Sequence, residues 1–215
     1  GMTGKFFFIN KKNKKYKTSF YYSLNDNKDK KHDRIIFSFQ KNQKLIYNDI
    51  RKFGFVKFYL LDDLYNSSHF KNLGPEPLEN RFNTNYFKAY INRRNRTIKD
   101  ILMDQKCVSG LGNIYVNEIL FLSGINPTRK VKQIKNFEIV KMIKNIKKIL
   151  KNSIKLGGSS IKDFYSGDGK KGTFQQYFKI YGRQGEKCSN TDCNENVKRI
   201  VISNRSSFFC KRCQK

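Results

Sequence analysis

The sequence predicts an α+β chain in three successive parts: strands over residues 1–75, helices over 76–178 and a small cysteine-stapled ribbon over 179–215. Three observations carry that expectation. Apolar residues fall in short strand-like blocks in the first part. They recur at helical spacing beyond a proline-punctuated connection. Four of the chain's five cysteines crowd the last part.

In the first part, Lys5 to Asn10 holds three consecutive phenylalanines and reads as a strand. Arg34 to Gln40 and Lys44 to Tyr47 flank Lys41-Asn42-Gln43 as a hairpin, and Phe55 to Leu60 reads as a further strand. Lys11 to Lys17 and Lys28 to His32 are charged connections. Leu73-Gly74-Pro75-Glu76-Pro77-Leu78 marks the boundary, because each proline bars helix at the residue before it.

Beyond that segment, Ile98 to Met103 and Ile114 to Leu122 read as helical runs. The clearest helix carries Ile139, Ile143, Ile146, Leu150 and Ile154 on one face with lysines opposite, and Gly157-Gly158 stops it. That stripe is core packing. Ser166 to Thr173 is a polar loop with three glycines, and the ribbon begins near Lys179.

The cysteines are spaced Cys188-x4-Cys193, then sixteen intervening residues, then Cys210-x2-Cys213. Two short turns that each supply two thiolates are the usual construction of a tetrahedral zinc site. Val197 to Ile202 and Arg205 to Phe209 run out and back as strands around Ser203-Asn204. So short a ribbon buries little core of its own, so a single bound zinc ion is expected to supply folding energy. Two disulfides or four free thiols are the competing readings of the four cysteines. Cys107, in a distant apolar run, reads as a core residue.

Lys and Arg number 45 against 17 Asp and Glu, a net charge of +28. Self-repulsion on that scale calls for a polyanionic partner, most commonly nucleic acid. A bias toward lysine and asparagine along the whole chain contributes to the count, so the charge supports nucleic-acid binding without identifying it. No apolar run is long enough for a helical membrane span, and no membrane partner is expected. Gly110-Leu111-Gly112-Asn113 precedes a helical run; Asn113 is expected to cap it, and its N-terminus to meet a phosphate.

The string Leu102-Met103-Asp104-Gln105-Lys106-Cys107-Val108-Ser109-Gly110-Leu111-Gly112-Asn113-Ile114-Tyr115-Val116-Asn117-Glu118 closely resembles the helix–two-turn–helix signature of bacterial formamidopyrimidine-DNA glycosylases. Gly124-Ile125-Asn126-Pro127, Tyr181-Gly182-Arg183-Gln184-Gly185 and the Arg205-Ser206-Ser207-Phe208-Phe209-Cys210 knuckle continue the resemblance in family order. Leu73 to Leu78 and Asp49 to Gly54 resemble upstream family segments. The resemblance implies a partial N-terminal β-sandwich, a helix–two-turn–helix DNA-binding domain and a C-terminal zinc ribbon. It also implies a base-excision repair enzyme that removes oxidised purines (8-oxoguanine, formamidopyrimidines) and nicks the abasic strand by β,δ-elimination. Its partner would be damaged double-stranded DNA, met by a monomer at the nucleoid in the bacterial cytoplasm.

By the same resemblance, Met2, Arg51 and Phe53 enter the duplex in place of the everted base, an apolar wedge with a guanidinium for the orphaned partner. Asn113 and Arg205 clamp phosphates, and Arg205 also serves catalytically as proton donor in the δ-elimination. His32, Arg94 and Lys99 match further DNA contacts, and the loop from Ser166 to Phe174 covers the extruded purine. The family's N-terminal proline nucleophile, its neighbouring glutamate and its β-turn lysine have no counterpart here. Gly1-Met2-Thr3-Gly4-Lys5 resembles an interior strand instead. The expectation is therefore an N-terminally truncated fragment that binds DNA without excising a base. The alternatives are a catalytically dead DNA-binding remnant, a sister enzyme for oxidised pyrimidines, and a non-enzymatic zinc-ribbon protein of the ribosome or transcription machinery. The Met2, Arg51, Phe53 set leans toward purines. The first knuckle departs from the family's C-x2-C by two added residues.

Overall fold

The computed structural model describes residues 4–9, 15–16, 30–159 and 173–215. The chain packs as two compact units, Gly1–Phe58 with Ser153–Tyr177, and Tyr59–Asn152 with Phe178–Lys215. Met2 and most of the 166–174 loop lie outside the described residues.

The first unit is built on one antiparallel sheet of β1 (Gly4–Ile9), β2 (Lys15–Tyr16), β3 (Asp33–Phe39) and β4 (Gln43–Asp49), in the order β2-β1-β4-β3. The β3–β4 hairpin is the one the sequence predicts. It turns through Lys41 and Asn42, both at positive φ, and pairs Phe39 with Gln43. The four residues that end β4, from Ile46 to Asp49, are buried, and Phe6 rests its ring 5.0 Å from that of Tyr47. Lys15–Tyr16 forms its short strand inside a stretch the sequence marks only as a charged connection.

Phe55 to Leu60 is not a strand. Its apolar and aromatic composition fits one, but no partner strand is paired with it among the described residues, and Phe58 stays 89% exposed. Strand propensity expresses packing on a sheet and produces nothing without one.

The second unit is helical: α1 (Leu61–Leu64), α2 (Thr84–Ile91), α3 (Ile98–Leu102), α4 (Asn113–Ser123) and the bulk of α5 (Asn136–Lys155). Asn83 caps α2 by accepting from the Tyr86 N–H, and Thr97 caps α3 by accepting from the Asp100 N–H. Phe82, Phe87, Ile98, Leu102, Ile119 and Ile146 are among its fully buried side chains. The α5 stripe is buried at Ile139, Ile143 and Ile146, joined by Met142 and Ile149, but Ile154 is 68% exposed. The helical repeat turns Ile154 about 60° away from Ile139, off the contact face.

The proline-punctuated segment lies within this unit. The Gly74 N–H donates to the Gln105 carbonyl at 2.8 Å, the Ser109 N–H donates to the Pro75 carbonyl at 3.1 Å, and Pro77 is buried. A Cβ on Gly74 would stand 2.6 Å from the Cys107 carbonyl carbon, so only glycine allows that approach.

The ribbon packs in the same unit. Its strands β5 (Lys198–Ile202) and β6 (Arg205–Phe209) pair through a two-residue turn in which Ser203 and Asn204 have φ of 47° and 59°. Two left-handed residues are what a tight hairpin of that kind demands. Phe121 of α4 joins Ile180, Val197 and Phe208 in the cluster that surrounds the cysteines. No helix among the described residues is long and apolar enough to cross a membrane.

Candidate metal centre and nucleic-acid interface

Cys188, Cys193, Cys210 and Cys213 bring their sulfurs within 4.8 Å of one another. The Cys188–Cys213 and Cys193–Cys210 Sγ pairs stand 3.8 and 3.6 Å apart. Disulfide sulfurs would be about 2 Å apart. A tetrahedron of thiolates about 2.3 Å from a central ion has edges near 3.8 Å. The set therefore fits a tetrahedral metal, and the longer first knuckle does not spoil it. Burial pushes the Cys188 thiol up to about 12 and raises that of Cys213, while a backbone hydrogen bond at Glu195 lowers that of Cys193. A cation among the sulfurs would favour the thiolate forms of Cys188 and Cys213 against that burial.

Arg205 opens β6, exposed at the tip of the hairpin. The strand beside it is held by side chains from α3 and α4. The Ser206 carbonyl accepts from Asn113 Nδ2 and from Lys99 Nζ, both at 3.0 Å. Lys99 Nζ also donates to Ser207 Oγ, and the Phe208 N–H donates to Asn117 Oδ1 at 2.7 Å. Asn113 and Lys99 thus meet on a single carbonyl, one residue past Arg205.

Asn113 does not cap α4. Gly112 occupies the cap position with no side-chain hydrogen bond, and Asn113 is the first helical residue, turned toward the hairpin. The preceding turn is shaped by Gln105, whose Oε1 accepts from the Gly110 N–H at 2.7 Å and whose Nε2 donates to the Leu111 carbonyl at 3.0 Å. Gly110 sits at φ 80°. The amide groups that open α4 carry no side-chain cap, an arrangement suited to an anion.

Lys99 is 1% exposed and reaches the hairpin from beneath. Burial lowers its pKa to about 8, with Asp100 pulling it back up and Arg205 adding to the fall. Lys99 and Arg205 line a cleft of about 340 Å³ with Arg96, Asp100, Asp104 and Ser203. Arg94 is elsewhere. It stacks 4.1 Å over the Tyr90 ring, donates to the Tyr90 carbonyl and lines a second cleft of about 550 Å³ with Lys88, Arg93 and Lys132.

In the first unit, Phe53 is 71% exposed with the Arg51 guanidinium 5.0 Å from its ring centre. An aromatic held out of the core on a formed turn is available for stacking. The turn is tied by buried Asp49, whose carboxylate accepts from the N–H groups of Arg51 and Gly54 and from the Tyr47 hydroxyl. His32 is half-buried, with its Nδ1 3.2 Å from a guanidinium nitrogen of Arg34.

Sequence reasoning missed the residues that hold these groups in place: Asp49, Asn117 and Glu118. Glu118, buried in α4, accepts from the N–H groups of Lys179, Ile180 and Tyr181 at 2.8–3.0 Å and so ties down the chain as it enters the ribbon. Its placement beside the apolar stretch Ile119 to Leu122 was the available signal, since a buried carboxylate needs partners.

Comparisons with known proteins bear on the whole arrangement. The family model of the formamidopyrimidine-DNA glycosylase N-terminal domain matches residues 1–56, and that of the formamidopyrimidine-DNA glycosylase H2TH domain matches residues 73–165. The chain is 41% identical over 185 residues to the formamidopyrimidine-DNA glycosylase of Ruegeria pomeroyi, covering 86% of this chain and 65% of that protein. To the one from Rickettsia bellii it is 39% identical over 186 residues, covering 86% and 67%. It thus spans about 65% of the length of the first curated relatives it matches. Among solved structures, Lactococcus lactis Fpg in complex with abasic-site-containing DNA aligns at a TM-score of 0.79 and 33% identity, covering all of this chain and 72% of that one. MutM in complex with DNA containing carbocyclic 8-oxo-G aligns at 0.80, with the same identity and coverage.

Proposed function

The chain belongs to the formamidopyrimidine-DNA glycosylase family, and from that premise we propose that it grips damaged double-stranded DNA for the excision of oxidised purines. The observation that carries this reading is the bond from Asn113, the first residue of α4, to the Ser206 carbonyl, one residue along the hairpin from exposed Arg205. A guanidinium and a row of amide N–H groups suit neighbouring phosphates, which position a duplex without reading its sequence. Met2, Phe53 and Arg51 are proposed to enter the stack left by the everted base, and His32 to meet the backbone. Arg94 and Lys99 take different parts: Arg94 meets the backbone from its separate cleft, and buried Lys99 acts through the hairpin. Arg205 donates the proton of the δ-elimination.

Cys188, Cys193, Cys210 and Cys213 would hold a zinc ion whose chemistry would be structural, with the two knuckles fixed so that the hairpin presents Arg205 rigidly. The proposed architecture is a partial β-sandwich (1–75), a helix–two-turn–helix domain (76–178) and a zinc ribbon (179–215), working as a monomer at the bacterial nucleoid.

Binding to a duplex carrying a tetrahydrofuran abasic analogue, in competition with undamaged duplex, tests the reading. Salt-sensitive binding that favours the analogue is expected. Absent binding, or none that prefers the analogue, would sink the reading. A ribosomal or transcription zinc ribbon would instead prefer RNA to damaged duplex in competition.

A further inference from the structure

We infer that Asp100 and Ser203 form a latch that aims Arg205, making Asp100 a positioning residue for the fingertip; the inference rests on the reading that Arg205 meets DNA. Ser203 Oγ donates to Asp100 Oδ1 at 2.7 Å. The other carboxylate oxygen accepts from Thr97 Oγ1 at 2.7 Å, and Thr97 Oγ1 in turn accepts from the Asp100 N–H at 3.1 Å. The carboxylate is therefore fixed in orientation by the cap of its own helix before it receives the serine.

The placement gives the latch its use. Arg205 lies two residues beyond Ser203 and one before Ser206. Lys99 bonds the Ser206 carbonyl on the strand side, and Asp100 bonds Ser203 on the turn side. Adjacent residues of α3 thus hold both flanks of the segment that carries the guanidinium. Without the Asp100 bond, the tip would be restrained on its turn side only by the two-residue turn and its strand pairing. A carboxylate in the same cleft as a phosphate-binding arginine weakens the pull on DNA. Its presence there is accounted for if it orders the arginine, since a guanidinium held in place loses less entropy on binding.

The test uses the full chain loaded with zinc. In the free protein, the order of the Arg205 Nε–Hε bond by 15N relaxation should fall in Ser203→Ala and return in the paired Asp100→Asn, Ser203→Asp variant. There the new amide keeps accepting from Thr97 and donates to the new carboxylate, and aspartate tolerates the left-handed backbone of that turn. Ser203→Ala should weaken affinity for the abasic-analogue duplex about 3- to 10-fold, the equivalent of one ordinary hydrogen bond. It should have no further effect in an Arg205→Ala background. Unchanged Arg205 order in Ser203→Ala overturns the latch whatever the affinity. Lost order with Arg205→Ala binding as tightly as the parent keeps the latch and overturns the DNA reading instead.

Discussion

Asn113 shows how a residue's identity and its use can part company. A Gly-Asn step before a helix suggests a cap, yet glycine takes that position and the amide spans to Ser206. Local sequence carries the helix start but not the hairpin that arrives from ninety-three residues away. Asn113→Ala should therefore loosen the fingertip as well as the phosphate site, lowering abasic-duplex affinity about ten-fold by fluorescence anisotropy. Lys99 gives a pH signature. Its pKa falls from 10.5 to about 8 on burial. Between those values the unfolded chain holds a proton that the folded chain has released, so this group makes stability rise with pH across that window. Urea unfolding between pH 8 and 10 should show that rise shrink in Lys99→Met; an equal rise in both proteins would place the lysine in solvent.

At the scale of elements, the cysteine spacing, the β3–β4 hairpin, the ribbon turn and α5 were legible, because each depends on contacts close in sequence or on a repeated period. What was illegible depends on partners distant in the chain: the loss of a strand at Phe55 to Leu60, the exposed end of the α5 stripe, and the docking of the proline segment on the turn before α4. Gly74 tests that docking. Gly74→Ala forces a methyl against the Cys107 carbonyl, backbone that cannot swing aside, and should cost about 2 kcal/mol or more in urea unfolding. Glu118 tests the seat of the ribbon. Glu118→Ala strips a shared acceptor from three N–H groups and should destabilise the second unit by about 3 kcal/mol, with loss of DNA affinity. Neither position touches the proposed DNA face directly, so both changes should act through stability.

Over the whole molecule, the net charge and a metal at the four cysteines would set the conditions under which the proposed grip works. A chain of net charge +28 attracts any polyanion, so affinity alone says little about the fingertip. Removing the ion should disorder the ribbon despite its packing on Phe121, because buried thiols near one another would regain their protons. Cys210→Ser or chelation should abolish stoichiometric zinc and with it the added affinity for abasic duplex; retained zinc and retained binding would remove the metal from the account. The central claim is narrower, that Arg205 grips a phosphate from the tip of that ribbon. The most direct measurement is the slope of log Kd against log salt for an abasic-analogue duplex, in the parent chain and in Arg205→Ala. The predicted result is a steep slope that falls by about 0.9, one phosphate contact, in the variant. An identical slope and affinity in the two proteins would contradict it.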